Sequence, residues 1–347
     1  MGQTLPSNLY DPVLNLDYTM YKWYENTTVL SRLARIGDPT APIQMNVNQA
    51  LLERGGQFLH APVWKPITTL VTRRDMTSTA DATPANTTSR DDIAVRVNRK
   101  IGPFSITRSA EWMSGQNQAQ MAAMFYEEST RRVSLDLRQF IVATAKAAIG
   151  NMSGTPNTLN VYNSSSKTNM SVNLLSRTRA LLGDKMDEAF APGGGAAFIF
   201  RSEAETDLVL SQQNAGVEGI AARAAAGASP LTLNLDFCLA NDSSLLVSGS
   251  PYNEYDTLLL GPGFMEMTIV NMNYEPLWMN PKAENVEFVF RGDYDVEFRI
   301  PGFAWDTSNG GGNPSLSTIA TSAFWLNTYT DQREIWGCVC RHNSSAA

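Results

Sequence analysis

Residues 72–97 read TRRDMTSTADATPANTTSRDDIAVRV, and they decide the fold. They follow an extended hydrophobic arm, Phe58 to Val71, and contain a polar, Thr-rich segment with Pro84 near its middle. They end in strict alternation, with Ile93, Val95 and Val97 on one face and Ala94, Arg96 and Asn98 on the other. Alternation of period two predicts a strand with one face covered. The whole is two long arms joined at a polar tip. Isolated hairpins are marginally stable in water and their edges invite pairing, so an arm of this length needs a second surface, most simply another subunit. The stretch reads as part of a building block rather than of an enzyme.

After Gly102-Pro103 one helical pattern runs from about Gln118 to Ile149 with no Gly or Pro inside it. Met121, Phe125, Val133, Leu137, Phe140, Ile141 and Ala145 form an apolar stripe at helical spacing. Glu127–Arg131 and Glu128–Arg132 are i,i+4 pairs in the favourable order. Gly150-Asn151 closes the pattern, and Gly154-Thr155-Pro156 prevents its resumption. A helix of this length extends on the order of 45 Å, the dimension of a whole domain, so it must act as a spine.

With 347 residues the chain can form two domains or one elaborated domain. Its 43% hydrophobic and 18% charged residues fit a folded protein whose surface is largely given to protein contacts. The formal net charge of −7 excludes a non-specific nucleic-acid binder, which needs clustered Lys and Arg. An acidic shell can still enclose nucleic acid without gripping it. Met1 to Tyr10 has neither the basic nor the apolar region of a signal peptide, and no 18-residue apolar run is present for a membrane span.

Elsewhere the pattern is a mixture of helices and strands, an α+β class. Residues 1–50 read as an arm with one short helix near Asn26–Arg35. Helices are expected at Ser171–Met186 and after the capping-box pattern Ser202-x-x-Glu205, and strands at 196–200, 231–239, 244–247 and 257–260. After a strand at 267–272, Val286, Phe288 and Phe290 alternate, then Tyr294, Val296, Phe298 and Ile300, with Gly292-Asp293 as the expected turn between them. Asn313 as N-cap with Pro314 at N1 predicts a helix to about Phe324, and a last strand is expected from about Glu334 to Arg341.

Motifs for chemistry are sparse. Gly193-Gly194-Gly195 lacks the Lys and Ser/Thr of a phosphate-binding loop, and no cofactor motif is found. The two histidines, His60 and His342, have no partner at catalytic or metal-ligand spacing. Cys238, Cys338 and Cys340 form no disulfide framework, and Cys338-Val-Cys340 reads as small core residues of a terminal strand. The one enzymatic alternative is Asp293, Asp295 and Glu297, about 6.6 Å apart along one strand face. Arg291 and Arg299 flank them in phase, so the preferred reading is a neutralised, half-exposed polar face.

The polar segment brings both signs of charge together: Arg73, Arg74 and Arg90 beside Asp75, Asp91 and Asp92. Placed on a neighbouring subunit, these six residues would form complementary pairs that fix register.

In the order of its elements the chain resembles the major capsid proteins of tailed bacteriophages, of the Hong Kong 97 type fold. The segments that carry the resemblance are Thr72-Arg73-Arg74-Asp75 through Ile93-Ala94-Val95-Arg96-Val97, the helix around Arg131-Arg132-Val133-Ser134-Leu135-Asp136-Leu137, and Gly302-Phe303-Ala304-Trp305 with Asn313-Pro314. The resemblance implies an N-terminal arm (1–50), an extended loop or E-loop (51–112), a peripheral (P) domain of the spine helix (113–165) and strands (266–301), and an axial (A) domain (166–265) to which 302–347 returns. It implies a non-enzymatic subunit of an icosahedral virion, assembling as hexamers and pentamers in the host cytoplasm around double-stranded DNA, with a scaffolding protein, a portal and a decoration protein as partners and no membrane. A bacterial nanocompartment shell of the same fold is the related alternative. No Lys lies between Lys65 and Lys100, so the lysine cross-link of some relatives is not expected on this loop.

Overall fold

The computed structural model describes residues 28–47, 60–64, 89–107, 118–152, 154, 156–182, 196–214, 236–280, 287–329 and 334–344. The first part of the chain carries α1 (Thr28–Leu33), β1 (Ala34–Ile36), β2 (Ile43–Val47), β3 (His60–Trp64), β4 (Ser89–Ile93), β5 (Val95–Thr107) and the spine helix α2 (Gln118–Gly150). Then follow β6 (Thr158–Asn160), α3 (Val172–Ala180), β7 (Ala197–Phe200), α4 (Ser202–Asn214), β8 (Asp236–Leu239), β9 (Leu246–Val247) and β10 (Glu254–Leu260). The last part holds β11 (Met265–Asn280), β12 (Glu287–Arg299), β13 (Phe303–Trp305), α5 (Leu316–Ile319), β14 (Trp325–Asn327) and β15 (Gly337–His342).

The strands form two main sheets. One has five strands in the order β1-β2-β11-β12-β5, and the other six, in the order β6-β15-β10-β7-β8 with β9 on β10. Helix α2 lies between them. Of its expected stripe, Val133, Leu137, Phe140, Ile141 and Ala145 are at 3% exposure or less, while Phe125 is only half-buried. The burial goes further than a stripe, because Val142, Ala143, Thr144, Ala147, Ala148 and Ile149 are buried too. The sequence from Phe140 to Ile149 is apolar on nearly every face, and a helix apolar all round belongs inside. Lys146 is the exception: its Nζ lies 2.6 Å from the buried Asp256 of β10 and donates to the Ser244 carbonyl at 2.7 Å. Nearer the solvent end, Glu128 holds both Arg131 (2.8 Å) and Arg132 (2.7 Å).

Several sequence expectations change. Gly292 is not a turn. Strand β12 runs unbroken through it, and the ladder to β5 slips between Phe290 and Gly292. Glycine in a strand interior commonly marks such a bulge. The hairpin partner of β12 is the long β11, paired from Glu266↔Arg299 to Asn280↔Glu287. Strand β5 likewise runs through Gly102-Pro103 to Thr107. Residues 34–47, read as loose arm, add β1 and β2 in parallel to β11; strands of three and five residues are too short to show a period. Helix α3 starts as expected, Ser171 accepting from the Leu174 N–H, while residues 183–186 lie outside the described residues.

The strand carboxylates are structural. Asp295 and Glu297 are each 3% exposed, so the face expected to be half-exposed is covered. Arg96 Nε donates to both Asp295 carboxylate oxygens at 2.8 and 2.9 Å, and Asn271 donates to Asp293 at 3.0 Å. Burial raises the Glu297 carboxyl above the usual Glu range; Arg96 pulls it back, and Asp295 adds to the rise. On the other main sheet, Cys338 and Cys340 are buried free thiols on β15, both pushed up by burial. Among the described residues no cluster of His, Cys, Asp and Glu fits a metal ion, and no helix is long and apolar enough to cross a membrane.

Two predictions follow from the packing. Leu137→Ala removes a fully buried side chain at the centre of the spine and should cost about 2–5 kcal/mol; a thermal melt at the wild-type temperature would show that this face does not carry the core. Glu297 has a folded-state pKa raised above its ordinary 4.5, so its contribution is favourable below that pH and lost as pH rises through the folded value. Glu297→Gln should therefore raise Tm at pH 7, with the gain shrinking toward acid pH. A lower Tm at pH 7 would mean that the Glu297 charge is needed to hold Arg96.

Candidate functional site at the base of the extended loop

Strands β3 and β4 pair antiparallel from His60↔Ile93 to Trp64↔Ser89. Among the described residues they form a two-stranded sheet of their own, hydrogen-bonded to neither main sheet. On the β4 side the ribbon continues into the body through Ala94, the single residue between β4 and β5, which is 1% exposed.

A buried charge cluster sits at this junction. The Asp92 side chain is fully buried and accepts from the Gly302 backbone N–H at 3.1 Å and from the Thr328 hydroxyl at 2.6 Å. Arg90 Nε lies 3.2 Å from its carboxylate, and Arg299 Nη2 lies 3.7 Å away. Arg90 also binds Glu334, and Arg299 donates to Glu266 at 2.5 Å. A buried carboxylate is tolerable only when paired and hydrogen-bonded, and Asp92 is both. Its partners come from the end of β12, from Gly302 before β13, from Thr328 after β14 and, through Arg90, from the approach to β15. Gly302 is required here: its φ is +92°, and a Cβ would sit 2.6 Å from Ile335 Cδ1.

The Gly-x-x-Trp and Asn-Pro segments build the adjoining wall. Trp305 and Trp325 are fully buried, with ring centroids 5.2 Å apart. Their indole N–H groups donate to Gly311 (2.9 Å) and Ile319 (3.0 Å) carbonyls. Asn313 does not cap a helix. It adopts φ +50°, and its side-chain oxygen accepts from the Asn98 N–H (2.9 Å) and Arg99 (2.8 Å). Arg99 further donates to the Pro314 carbonyl at 2.7 Å and stacks 5.0 Å over Phe140 of the spine. The cap is Ser315, accepting from the Thr318 N–H at 3.2 Å, and α5 is a single turn ending at Ile319 rather than a helix to Phe324. Asn tolerates the left-handed region, which suits it to this clamp instead. Opposite Arg99, on β12, Tyr294 donates to Asp136 of the spine; burial and the Asp136 charge push its hydroxyl pKa well above the usual tyrosine range.

Of the six charged residues singled out in the sequence, Arg73, Arg74 and Asp75 lie outside the described residues. Asp91 is exposed. Arg90 and Asp92 point into the subunit, where their side chains are 7% and 0% exposed. Sequence reading found Arg90 and Asp92 as charges but not their partners Thr328 and Glu334, more than two hundred residues away. Asn313 is visible in the Asn-Pro pattern, which points to a local capping role and not to its contact with Asn98 and Arg99. Asp293, Asp295 and Glu297 converge on no reaction centre.

The sequence profile of the Gp13-like family, described as major capsid protein 13-like, matches residues 44–339. No curated protein matches. Among solved structures, the chain is similar to the capsid of Ralstonia phage GP4, with a TM-score of 0.56 at 11% identity over 92% of this chain and 91% of that one. It is similar to the capsid of cyanophage Pam1, with a TM-score of 0.54 at 9% identity over 91% and 92%. It also resembles the head of Helicobacter pylori bacteriophage KHP40, at 0.52 and 8% identity over 91% of both chains. Identities this low speak for the fold alone. The profile match spans the ribbon, the spine and both main sheets, and with it the chain belongs to the Gp13-like family of phage major capsid proteins: it is a structural subunit of the virion shell, not an enzyme.

Proposed function

We propose that this capsid protein assembles in the host cytoplasm as hexamers and pentamers of a closed icosahedral head around double-stranded DNA, with residues 51–112 as an E-loop lying on a neighbouring subunit. One observation carries the reading. Among the described residues the β3–β4 ribbon pairs with neither main sheet, and Asp92 ties its base to Gly302 and Thr328. A two-stranded ribbon cannot bury both of its faces by itself, and a second copy of the chain is the partner that a shell always supplies.

The sheets support the accompanying division of the chain. Strands β11 and β12, with the spine, form the P domain, to whose sheet the E-loop returns through β5; β7, β10 and β15 belong to the A domain. Residues 1–50 act as an arm, of which β1 and β2 join the P-domain sheet. The segment 302–329 packs at the loop base, and from there the chain returns to the A-domain sheet through β15. Arg73, Arg74, Asp75 and Asp91 are proposed to meet charges on the neighbour, with Arg90 and Asp92 serving that contact from inside the subunit. The net charge of −7 fits an inner surface that confines DNA without binding its sequence. A scaffolding protein, a portal at one vertex and a decoration protein are proposed on the family assignment alone.

The experiment is assembly of purified protein followed by sedimentation and negative-stain microscopy, with Arg73→Glu/Arg74→Glu beside wild type. Wild type should give closed shells of uniform diameter. The double reversal should leave the melting of the subunit within a few degrees of wild type, since exposed charges contribute little to stability. It should nevertheless suppress shells at least tenfold, because like charges brought together cost several kcal/mol. Normal shells from the reversed variant would remove these two arginines from the contact.

A further inference from the structure

We infer that the buried Arg90–Asp92 cluster is a latch that sets the angle at which the ribbon leaves the body, which makes Arg90 and Asp92 positioning residues for assembly. The link to assembly rests on the reading that the ribbon lies on a neighbour; the latch itself does not.

Three observations converge. First, the ribbon has no strand partner in the body among the described residues, so backbone pairing does not fix its direction. Second, a single residue, Ala94, separates β4 from β5, and one residue outside the ladder leaves φ and ψ free to swing a ribbon. Third, the side chain two residues before this point is the most heavily partnered carboxylate of the region. Asp92 bridges the Gly302 N–H and the Thr328 hydroxyl, which flank the open end of the β13–β14 pair. That end is itself held rigid, since the Thr328 and Tyr329 N–H groups both donate to the Gly302 carbonyl, at 2.9 and 3.1 Å. Arg90 reaches Glu334 and Arg299 reaches Asp92, so β4 is tied by ion pairs to two separate elements, and a tilt that carries it away from either one separates a buried pair. A core contact could be slid; buried hydrogen-bonded charges cannot be separated gradually, because a half-open state leaves a charge without water or a partner. The ribbon therefore has one preferred direction instead of a continuum.

The latch is local chemistry with a distant consequence. A rotation of a few degrees at Ala94 is multiplied along the loop, so the charges beyond Ser89 arrive at a neighbour in register only if the base is fixed. This explains why a buried, costly cluster stands where an apolar plug would hold the fold equally well.

The test is pulsed electron paramagnetic resonance on dissociated full-length subunits carrying nitroxides at Ser89→Cys and Ser308→Cys. Both positions are exposed, and the three native cysteines are buried, so labelling is selective. The wild-type background should give one narrow distance distribution. Asp92→Asn should broaden it by about a factor of two, because a neutral side chain no longer pairs with Arg90 and Arg299. Thr328→Val, which removes one hydrogen bond and no charge, should broaden it less, and it decides the matter if Asp92→Asn fails to fold. An unchanged distribution in the folded variants overturns the latch. Assembly of the same variants is then scored by sedimentation: a broadened distribution with misshapen or missing shells supports the whole proposal. A broadened distribution with normal shells upholds the latch and overturns instead the reading that the ribbon lies on a neighbour.

Discussion

Everything in this subunit is hung on one helix. The segment from Phe140 to Ile149 has no polar face to offer water, so it forces a layer of structure onto every side of itself. The five-stranded sheet covers one side, with Phe298 stacked on Phe140 at 6.1 Å between centroids. The six-stranded sheet covers another, and Lys146 paired with Asp256 supplies the polar tie. The turn α5 and the 3₁₀ segment before β14 close the C-terminal end. A helix of 33 residues extends about 50 Å, so elements attached along it keep their spacing without touching one another. That rigidity gives a shell subunit a fixed frame from which a ribbon can project.

The charges divide in a way that composition conceals. The body uses its buried carboxylates internally: Asp295 on Arg96, Asp256 on Lys146, Asp92 on Arg90 and Arg299. All of these except Asp92–Arg90, which share β4, join elements distant in sequence. Ion pairs of this kind add little net stability compared with apolar packing, but they tolerate only one geometry. In a protein that must present the same outline to many copies of itself, that selectivity has a use. The exposed charges near the solvent end of the spine, Glu128 with Arg131 and Arg132, are of the ordinary weak kind.

Much of the fold was legible in the sequence because two periodicities were long enough to read. The spine announced itself through thirty residues without Gly or Pro, and the alternation from Ile93 to Val97 fixed the start of β5. The short β1 and β2 were not legible, since strands of three and five residues show no period; β7, equally short, was legible only as an apolar run. Gly292 misled because glycine serves turns and bulges equally; only its partners in β5 and β11 show which. Asn313-Pro314 misled in the same way, as a helix start and an edge clamp have the same letters. At the loop base, Arg90, Asp91 and Asp92 were visible as charges. Which of them faced inward depended on Gly302, Thr328 and Glu334, and no local pattern connects residues that far apart.

The central claim is that the extended loop completes its structure on another subunit. Hydrogen exchange of residues 72–88, compared between dissociated subunits and assembled shells, tests it most directly. The segment has few hydrophobic residues with which to bury itself, so the account predicts fast exchange in the subunit and strong protection in the shell. Equal exchange in the two states would contradict it.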